Sequence, residues 1–185
     1  MNGYSPLVAE TPVPATLVLG GARSGKSRHA EALACASGLE RCYVATATPF
    51  DAEMGARIAR HRADRASAGW VTIEEERALG AVITREARPN RVLLIDCLTL
   101  WLNNLFFAGE DIEAAQASLI TTLAGAKGPV ILVSNEVGLG LVPETPLGRD
   151  FRDAQGRLNQ AVAAIVPNVV FIAAGLPLWL KGTGA

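Results

Sequence analysis

The run Gly20-Gly21-Ala22-Arg23-Ser24-Gly25-Lys26-Ser27 lies between an apolar stretch, Leu17-Val18-Leu19, and a helix-compatible stretch that opens at Arg28. No other feature restricts the chain as much. A strand, a glycine-permitted turn and a helix must meet here, with successive N–H groups of the turn pointing inward. Such a loop cradles phosphates. Lys26 can reach the β and γ phosphates, and Ser27 offers a hydroxyl to Mg²⁺ at the helix N-terminus, so a nucleoside triphosphate is the expected ligand. A ligand-free glycine-rich turn is the plain alternative, and the strand-loop-helix context argues against it.

The 185 residues suit one domain of ordinary size, with an irregular N-terminal extension over 1–14 and a single nucleotide-binding catalytic domain over 15–185. A formal net charge of −1 supplies no basic field for nucleic acid or an anionic membrane, which favours small-molecule chemistry. Cys35, Cys42 and Cys97 are odd in number and form no Cys-x-x-Cys or Cys/His cluster, so a reducing cytoplasm is expected. Pro6, Pro12 and Pro14 break the N-terminus, which lacks the basic-then-apolar order of a signal peptide. The uncharged stretch 161–180 is interrupted by Pro167, Gly175 and Pro177, and reads as a helix end, a turn, a buried strand and an apolar tail rather than a membrane span.

Short apolar runs predict strands over 15–19, 42–45, 91–95, 130–134 and 169–173, with 70–73 a weaker sixth. Helices are expected between them, over 26–37, 53–65, 77–87, 98–107, 111–126 and 150–165. The alternation implies an α/β fold with a mainly parallel sheet covered by helices on both faces. In such sheets ligands gather beyond the carboxyl ends of the strands. Four of those ends carry polar residues: the phosphate loop after Leu19, Thr46-Ala47-Thr48, Asp96, and Ser134-Asn135-Glu136.

Asp96 closes Val92-Leu93-Leu94-Ile95, where a carboxylate can hold Mg²⁺ with Ser27, directly or through water. Capping the following helix is its structural alternative, and the two roles are compatible. His61 shares a helical stripe with Met54 and Ile58, flanked by Arg57, Arg60 and Arg62. There it is either a nucleophile toward phosphorus or a hydrogen-bonded, half-buried histidine, and spacing alone leaves both open. His29, in the helix that leaves the loop, reads as structural. Glu74, Glu75 and Glu76 read first as solvated acids, with Glu74 a candidate partner for ribose hydroxyls or a guanine edge if its strand reaches the site. The segment 135–144 carries Gly138 and Gly140 and suits a binding loop, while Arg149 to Asp153 and Gly156 to Gln160 form a charged face.

The motifs at Gly20 to Glu31, Arg57-Ile58-Ala59-Arg60-His61, Asn135-Glu136-Val137-Gly138 with Val142-Pro143, and Phe151-Arg152-Asp153 through Asn159-Gln160 occur in order. In this combination, from about Leu17 to about Gly175, the chain resembles the bifunctional adenosylcobinamide kinase/adenosylcobinamide-phosphate guanylyltransferases. The resemblance implies a RecA-like P-loop NTPase fold, ATP or GTP and Mg²⁺ as cofactors, adenosylcobinamide and adenosylcobinamide phosphate as substrates, and a homotrimer. It also implies that His61 attacks the α-phosphate of GTP and carries GMP. Gly20, Gly21, Ala22, Arg23, Ser24, Gly25, Lys26 and Ser27 would bind nucleotide phosphates, with Lys26 catalytic. Ala45, Thr46, Ala47, Arg62, Ala63, Asp64, Arg65, Glu74 and Asp96 match further nucleotide-binding positions. Some relatives carry a second histidine where this chain has Arg60, and Glu or Asp at the position of Asp96. Spacing taken without the resemblance leaves another small-molecule kinase or a nucleotide-sensing module as readings.

Overall fold

The computed structural model describes residues 15–48, 63 and 65–182. The N-terminal extension, most of the expected helix over 53–65, and His61, Arg62 and Asp64 lie outside the described residues. In chain order the elements are β1 (Ala15–Gly20), α1 (Lys26–Ala36), β2 (Glu40–Ala45), β3 (Trp70–Glu74), α2 (Leu79–Glu86), β4 (Arg91–Asp96), α3 (Leu98–Ala108), α4 (Ile112–Ala124), β5 (Val130–Asn135), α5 (Pro146–Ile165), β6 (Asn168–Ala173) and β7 (Leu176–Lys181).

Seven strands form one sheet in the order β3-β2-β4-β5-β1-β6-β7. All pairings are parallel except β6 with β7. The central strands are apolar at successive positions because both of their faces are covered. Leu17, Leu93, Ile95 and Leu132 point to one face and meet α2, α3, α4 and α5 residues such as Val82, Leu102, Leu119 and Leu158. Val18, Leu94, Ile131 and Val133 point to the other, where Ala30 and Ala34 of α1 are fully buried. Two alanines four residues apart present a smooth stripe, so α1 packs directly on β1, β4 and β5.

Helix ends follow local chemistry. Asp111 accepts the Ala114 N–H ahead of α4, and α3 stops at Gly109 in the left-handed conformation. The last long helix begins at Pro146, ahead of the expected Asp150, because Thr145 accepts the Gly148 N–H and Pro146 takes the first helical position. A second difference concerns the apolar tail. Ala174 and Gly175 take φ values of 51° and 80° and turn the chain straight back, so 176–181 joins the sheet as antiparallel strand β7. Trp179 packs against the core on the α1 side, while Leu176, Leu178 and Leu180 alternate with it and are exposed.

Gly128, just before β5, lies against the backbone of Arg88, so an added methyl would overlap main-chain atoms. Gly128→Ala should lower the urea midpoint by an amount equal to about 1–3 kcal/mol, the usual range for overpacking. Gly156→Ala, in α5 with open space around its Cα, should instead raise stability by up to about 1 kcal/mol. Equal effects of the two substitutions would contradict this packing.

Candidate active site

The phosphate loop depends on two close approaches. A Cβ on Gly20 would stand 2.5 Å from Ser24 Oγ and 2.7 Å from the Ile172 carbonyl. Gly25 has φ 96°, and Arg23 is also left-handed with φ 55°. Neighbouring strands clasp the loop from both sides: the Glu136 N–H donates to the Gly20 carbonyl (3.1 Å), and the Gly175 N–H donates to the Ser24 carbonyl (2.8 Å). Lys26 is buried, and its ammonium donates to the Gly21 carbonyl at 2.9 Å, leaving two N–H donors for phosphate oxygens. The cavity at the loop measures about 560 Å³ and is lined by the loop itself, Arg28, Ala174 and Gly175.

Asp96 ends β4, and β5 lies between that strand and the loop strand. The Tyr43 hydroxyl donates to Asp96 Oδ2 at 3.0 Å, which orients the carboxylate and, among the described residues, leaves Oδ1 available. Burial, reinforced by the Asp96 charge, pushes the Tyr43 phenol well above its ordinary pKa, so it remains a donor. The Arg65 guanidinium covers the Tyr43 ring at 3.8 Å, which brings one of the expected nucleotide-binding residues to the β2–β4 side of the site.

Thr46 has a different task from the one its hydroxyl suggests. It is fully buried, and Oγ1 donates to the Cys97 carbonyl (2.8 Å) and accepts the Cys97 N–H (2.7 Å). Its N–H meets the Asp96 carbonyl and its own carbonyl accepts from Asn104. The residue thus ties the ends of β2 and β4 together, across a cis peptide bond at Asp96–Cys97. Asn104 also donates to the Glu76 carbonyl, joining the loops after β2 and β3. Glu74 pairs in register with Ala45, so the β3 end does reach the same edge. Glu75 accepts the N–H groups of Arg77 and Ala78 and closes the turn just ahead of α2.

At the tip of β5 a buried polar cluster replaces apolar packing. Ser134 Oγ donates to Asn159 Oδ1 (2.7 Å), Gln155 Nε2 donates to both, and Asn159 Nδ2 donates to the Asn135 carbonyl. The Thr99 hydroxyl accepts the Asn135 N–H. Together these bonds hold the backbone that presents Glu136 beside Gly20. The 135–143 loop beyond is open, with Leu141 96% exposed. Arg149, part of the charged face read from sequence, donates to the Pro143 and Glu144 carbonyls and pins the base of that loop. His29 packs against Trp179, and burial lowers its pKa, in keeping with a structural role.

The structure therefore brings Gly20 to Ser27, Ala45, Ala47, Arg65, Glu74 and Asp96 to one edge of the sheet. Ala63 is exposed, and His61, Arg62 and Asp64 lie outside the described residues. Sequence reading missed Tyr43, Thr99, Asn104 and Gln155; Gln155 falls inside the motif from Phe151 to Gln160 without being singled out, and Tyr43 left a signal as a polar residue within an apolar strand. Among the described residues no group of three His, Cys, Asp or Glu side chains forms a metal cage. The donors at hand, the Ser27 hydroxyl and the free Asp96 oxygen, are hard oxygens and fit Mg²⁺, which keeps waters and takes most of its other ligands from phosphates. No described helix is long and apolar enough to cross a membrane.

Residues 16–180 match the family described as cobinamide kinase / cobinamide phosphate guanyltransferase. The bifunctional adenosylcobalamin biosynthesis protein CobP of Pseudomonas aeruginosa is 51% identical over 168 residues, covering 90% of this chain and 96% of that protein. The corresponding CobU of Escherichia coli is 42% identical over 180 residues, covering 89% and 98%. Among solved structures, the RadB recombinase aligns with a TM-score of 0.44 at 14% identity, covering 86% of this chain and 74% of that one.

The Tyr43 environment gives a pH test. Its folded pKa is raised above the unfolded value of about 10, so the unfolded state loses the proton first as pH climbs. Stability contributed by the neutral phenol is intact below about pH 10 and declines above it. The chain has two tyrosines, and absorbance at 295 nm should show Tyr43 ionising only on alkaline unfolding. Two tyrosines titrating together in the folded protein would contradict the buried Tyr43–Asp96 pair.

Proposed function

Because this chain belongs to the cobinamide kinase / cobinamide phosphate guanyltransferase family, we propose that its two activities run through one phosphate loop and a covalent His61–GMP intermediate. The enzyme is a bifunctional kinase and guanylyltransferase of adenosylcobalamin biosynthesis. In the proposed first step, the aminopropanol hydroxyl oxygen of adenosylcobinamide attacks the γ-phosphorus of ATP or GTP; a P–O bond forms, the β–γ bridging P–O bond breaks, ADP or GDP leaves, and the hydroxyl proton passes to solvent. In the second, a neutral His61 nitrogen attacks the α-phosphorus of GTP. A P–N bond forms, the α–β bridging P–O bond breaks, and pyrophosphate leaves. A phosphate oxygen of adenosylcobinamide phosphate then attacks the same phosphorus, the P–N bond breaks, and adenosylcobinamide-GDP is released.

The observation that carries this reading is the pairing of a buried Lys26 in a glycine-shaped loop with an oriented Asp96 carboxylate on the same sheet edge. Phosphoryl transfer needs little beyond such positioning and charge neutralisation. Lys26 draws charge from the β and γ phosphates, and the loop N–H groups hold them in place. Mg²⁺, when bound through Ser27 and Asp96, would supply further neutralisation of phosphate charge. Arg65, stacked on Tyr43, supplies positive charge on the β2–β4 side, and we assign Arg62 to nucleotide binding. Nucleotidyl transfer requires a nucleophile near the same phosphates, and we assign that role to His61. We assign residues 15–185 to one catalytic domain in the cytoplasm, where Cys35, Cys42 and Cys97 remain free thiols.

Incubation with α-labelled GTP should yield an acid-labile, alkali-stable GMP adduct on the wild-type chain, detectable as added mass. His61→Ala should remove the adduct and GMP transfer while phosphorylation of adenosylcobinamide persists. An active wild-type protein without adduct would overturn the covalent route.

We further propose a homotrimer in which the exposed Leu176, Leu178 and Leu180 stripe of β7 is covered by a neighbouring copy. Sedimentation should report three copies at working concentration, and Leu178→Lys should shift the population toward smaller species. A wild-type monomer would count against this assembly.

A further inference from the structure

The loop over 136–144 has no assigned part in either reaction. It leaves the sheet from β5, and β5 stands between β4, which ends in Asp96, and β1, which ends in the phosphate loop. Asp96 is level with Val133, and Gly20 with Asn135. The chain therefore emerges beside the gap that Asp96 and Ser27 flank. An acceptor that reaches a terminal phosphate in that gap arrives next to this loop.

Both ends of the loop are fixed. At the near end the Glu136 N–H bonds the Gly20 carbonyl, and the Glu136 carboxylate accepts the Gly138 N–H at 2.6 Å. At the far end Arg149 holds the Pro143 and Glu144 carbonyls, and a Cβ on Gly148 would stand 2.8 Å from the Pro143 ring, so the first turn of α5 packs against that proline. Between these anchors Leu139 and Leu141 are 82% and 96% exposed, and Val142 is exposed beside them. Among the described residues, large apolar side chains are otherwise exposed on β7, at Leu147 in the first turn of α5, and singly at Val71, Phe107 and Ile165. Scattered apolar residues need no explanation, but a cluster on an anchored loop marks a contact surface. The stripe of β7 lies across β1 from β5, so the face assigned to a neighbouring copy and this loop are separate surfaces.

The acceptor has a surface to match. Adenosylcobinamide carries its reacting hydroxyl at the end of a flexible arm, roughly 8–9 Å from a broad corrin ring edged with methyl groups and carboxamides. Leu139 and Leu141 stand three and five residues beyond Glu136, at most about 10–18 Å along the chain. With the hydroxyl at the phosphate loop, the ring falls within reach of the aliphatic tip. We infer that Leu139, Leu141 and Val142 form a docking surface for the corrin ring of the acceptor, an assignment that rests on the two-step reading above. One surface suffices for both steps, because adenosylcobinamide and its phosphate share that ring.

The test is the double variant Leu139→Ser/Leu141→Ser in the full chain; both side chains are exposed, so the fold should tolerate their loss. Equilibrium dialysis, read by corrin absorbance, should show affinity for adenosylcobinamide falling at least about tenfold, as expected when two leucines lose apolar contact with a ligand. Affinity for non-hydrolysable βγ-imido ATP, and the yield of GMP adduct from GTP alone, should change less than about twofold. In steady state the KM for adenosylcobinamide should rise while kcat holds, the mark of lost ground-state binding. Unchanged corrin affinity would overturn the inference, as would a wild-type chain that retains no corrinoid. An equal loss for βγ-imido ATP would place the loop in the nucleotide site and overturn it, and a smaller sedimenting species would do so by making the loop an interface between copies. Failure of the two-step reading would appear separately, as a wild-type chain that binds the corrinoid yet forms no phosphorylated product or no GMP adduct.

Discussion

Every feature of the site is arranged around the absence of a side chain at Gly20. Ser24 Oγ and the Ile172 carbonyl occupy the space that a Cβ would need, so only glycine lets the chain leave β1 and fold back over itself. That close turn brings Lys26 under the loop and lets two neighbouring strands bond to the loop backbone, through Glu136 on one side and Gly175 on the other. The loop is thus held as a rigid receptor, and rigidity is what electrostatic catalysis requires, because donors that are already oriented need no reorganisation when charge develops.

The surrounding polar groups serve the same end by different means. Tyr43 gives Asp96 one fixed hydrogen bond, Thr46 closes both bonding positions of the Cys97 backbone, and the Ser134–Gln155–Asn159 cluster holds the tip of β5. Buried groups of this kind are costly when unpaired and strong when paired. They define the positions of three strand ends to within hydrogen-bonding tolerance, which apolar contacts, lacking direction, cannot do. The sheet edge is consequently a surface whose polar groups are set in place before any ligand arrives.

Much of this was legible in the linear chain because its signals are local. Continuous apolar runs such as Val92 to Ile95 mark strands buried on two faces, and Gly20 to Ser27 carries its own geometry in its glycines. The charged face that includes Arg149 and the apolar tail over 176–180 were left undetermined by the sequence for a shared reason. In each case the residue types left the partner open, and a nearby backbone contact decided it: the carbonyls of Pro143 and Glu144, six and five residues back, for one, and antiparallel pairing with β6 across the Ala174–Gly175 turn for the other. Thr46 looked like a ligand hydroxyl because it follows a strand, yet its partner Cys97 lies 51 residues away.

By itself the sequence determined the alternating α/β order, the phosphate-binding loop, and the family to which the motifs belong, since each is written in periodicity or in contiguous residues. Only the tertiary structure decided which strands flank β1, that Tyr43 and Asn104 serve the site, and that the β6–β7 turn lies against the loop. Parallel strands are joined by crossovers that leave their spatial order open to the local sequence, and that order is settled by which buried faces and backbone groups find partners across the whole sheet.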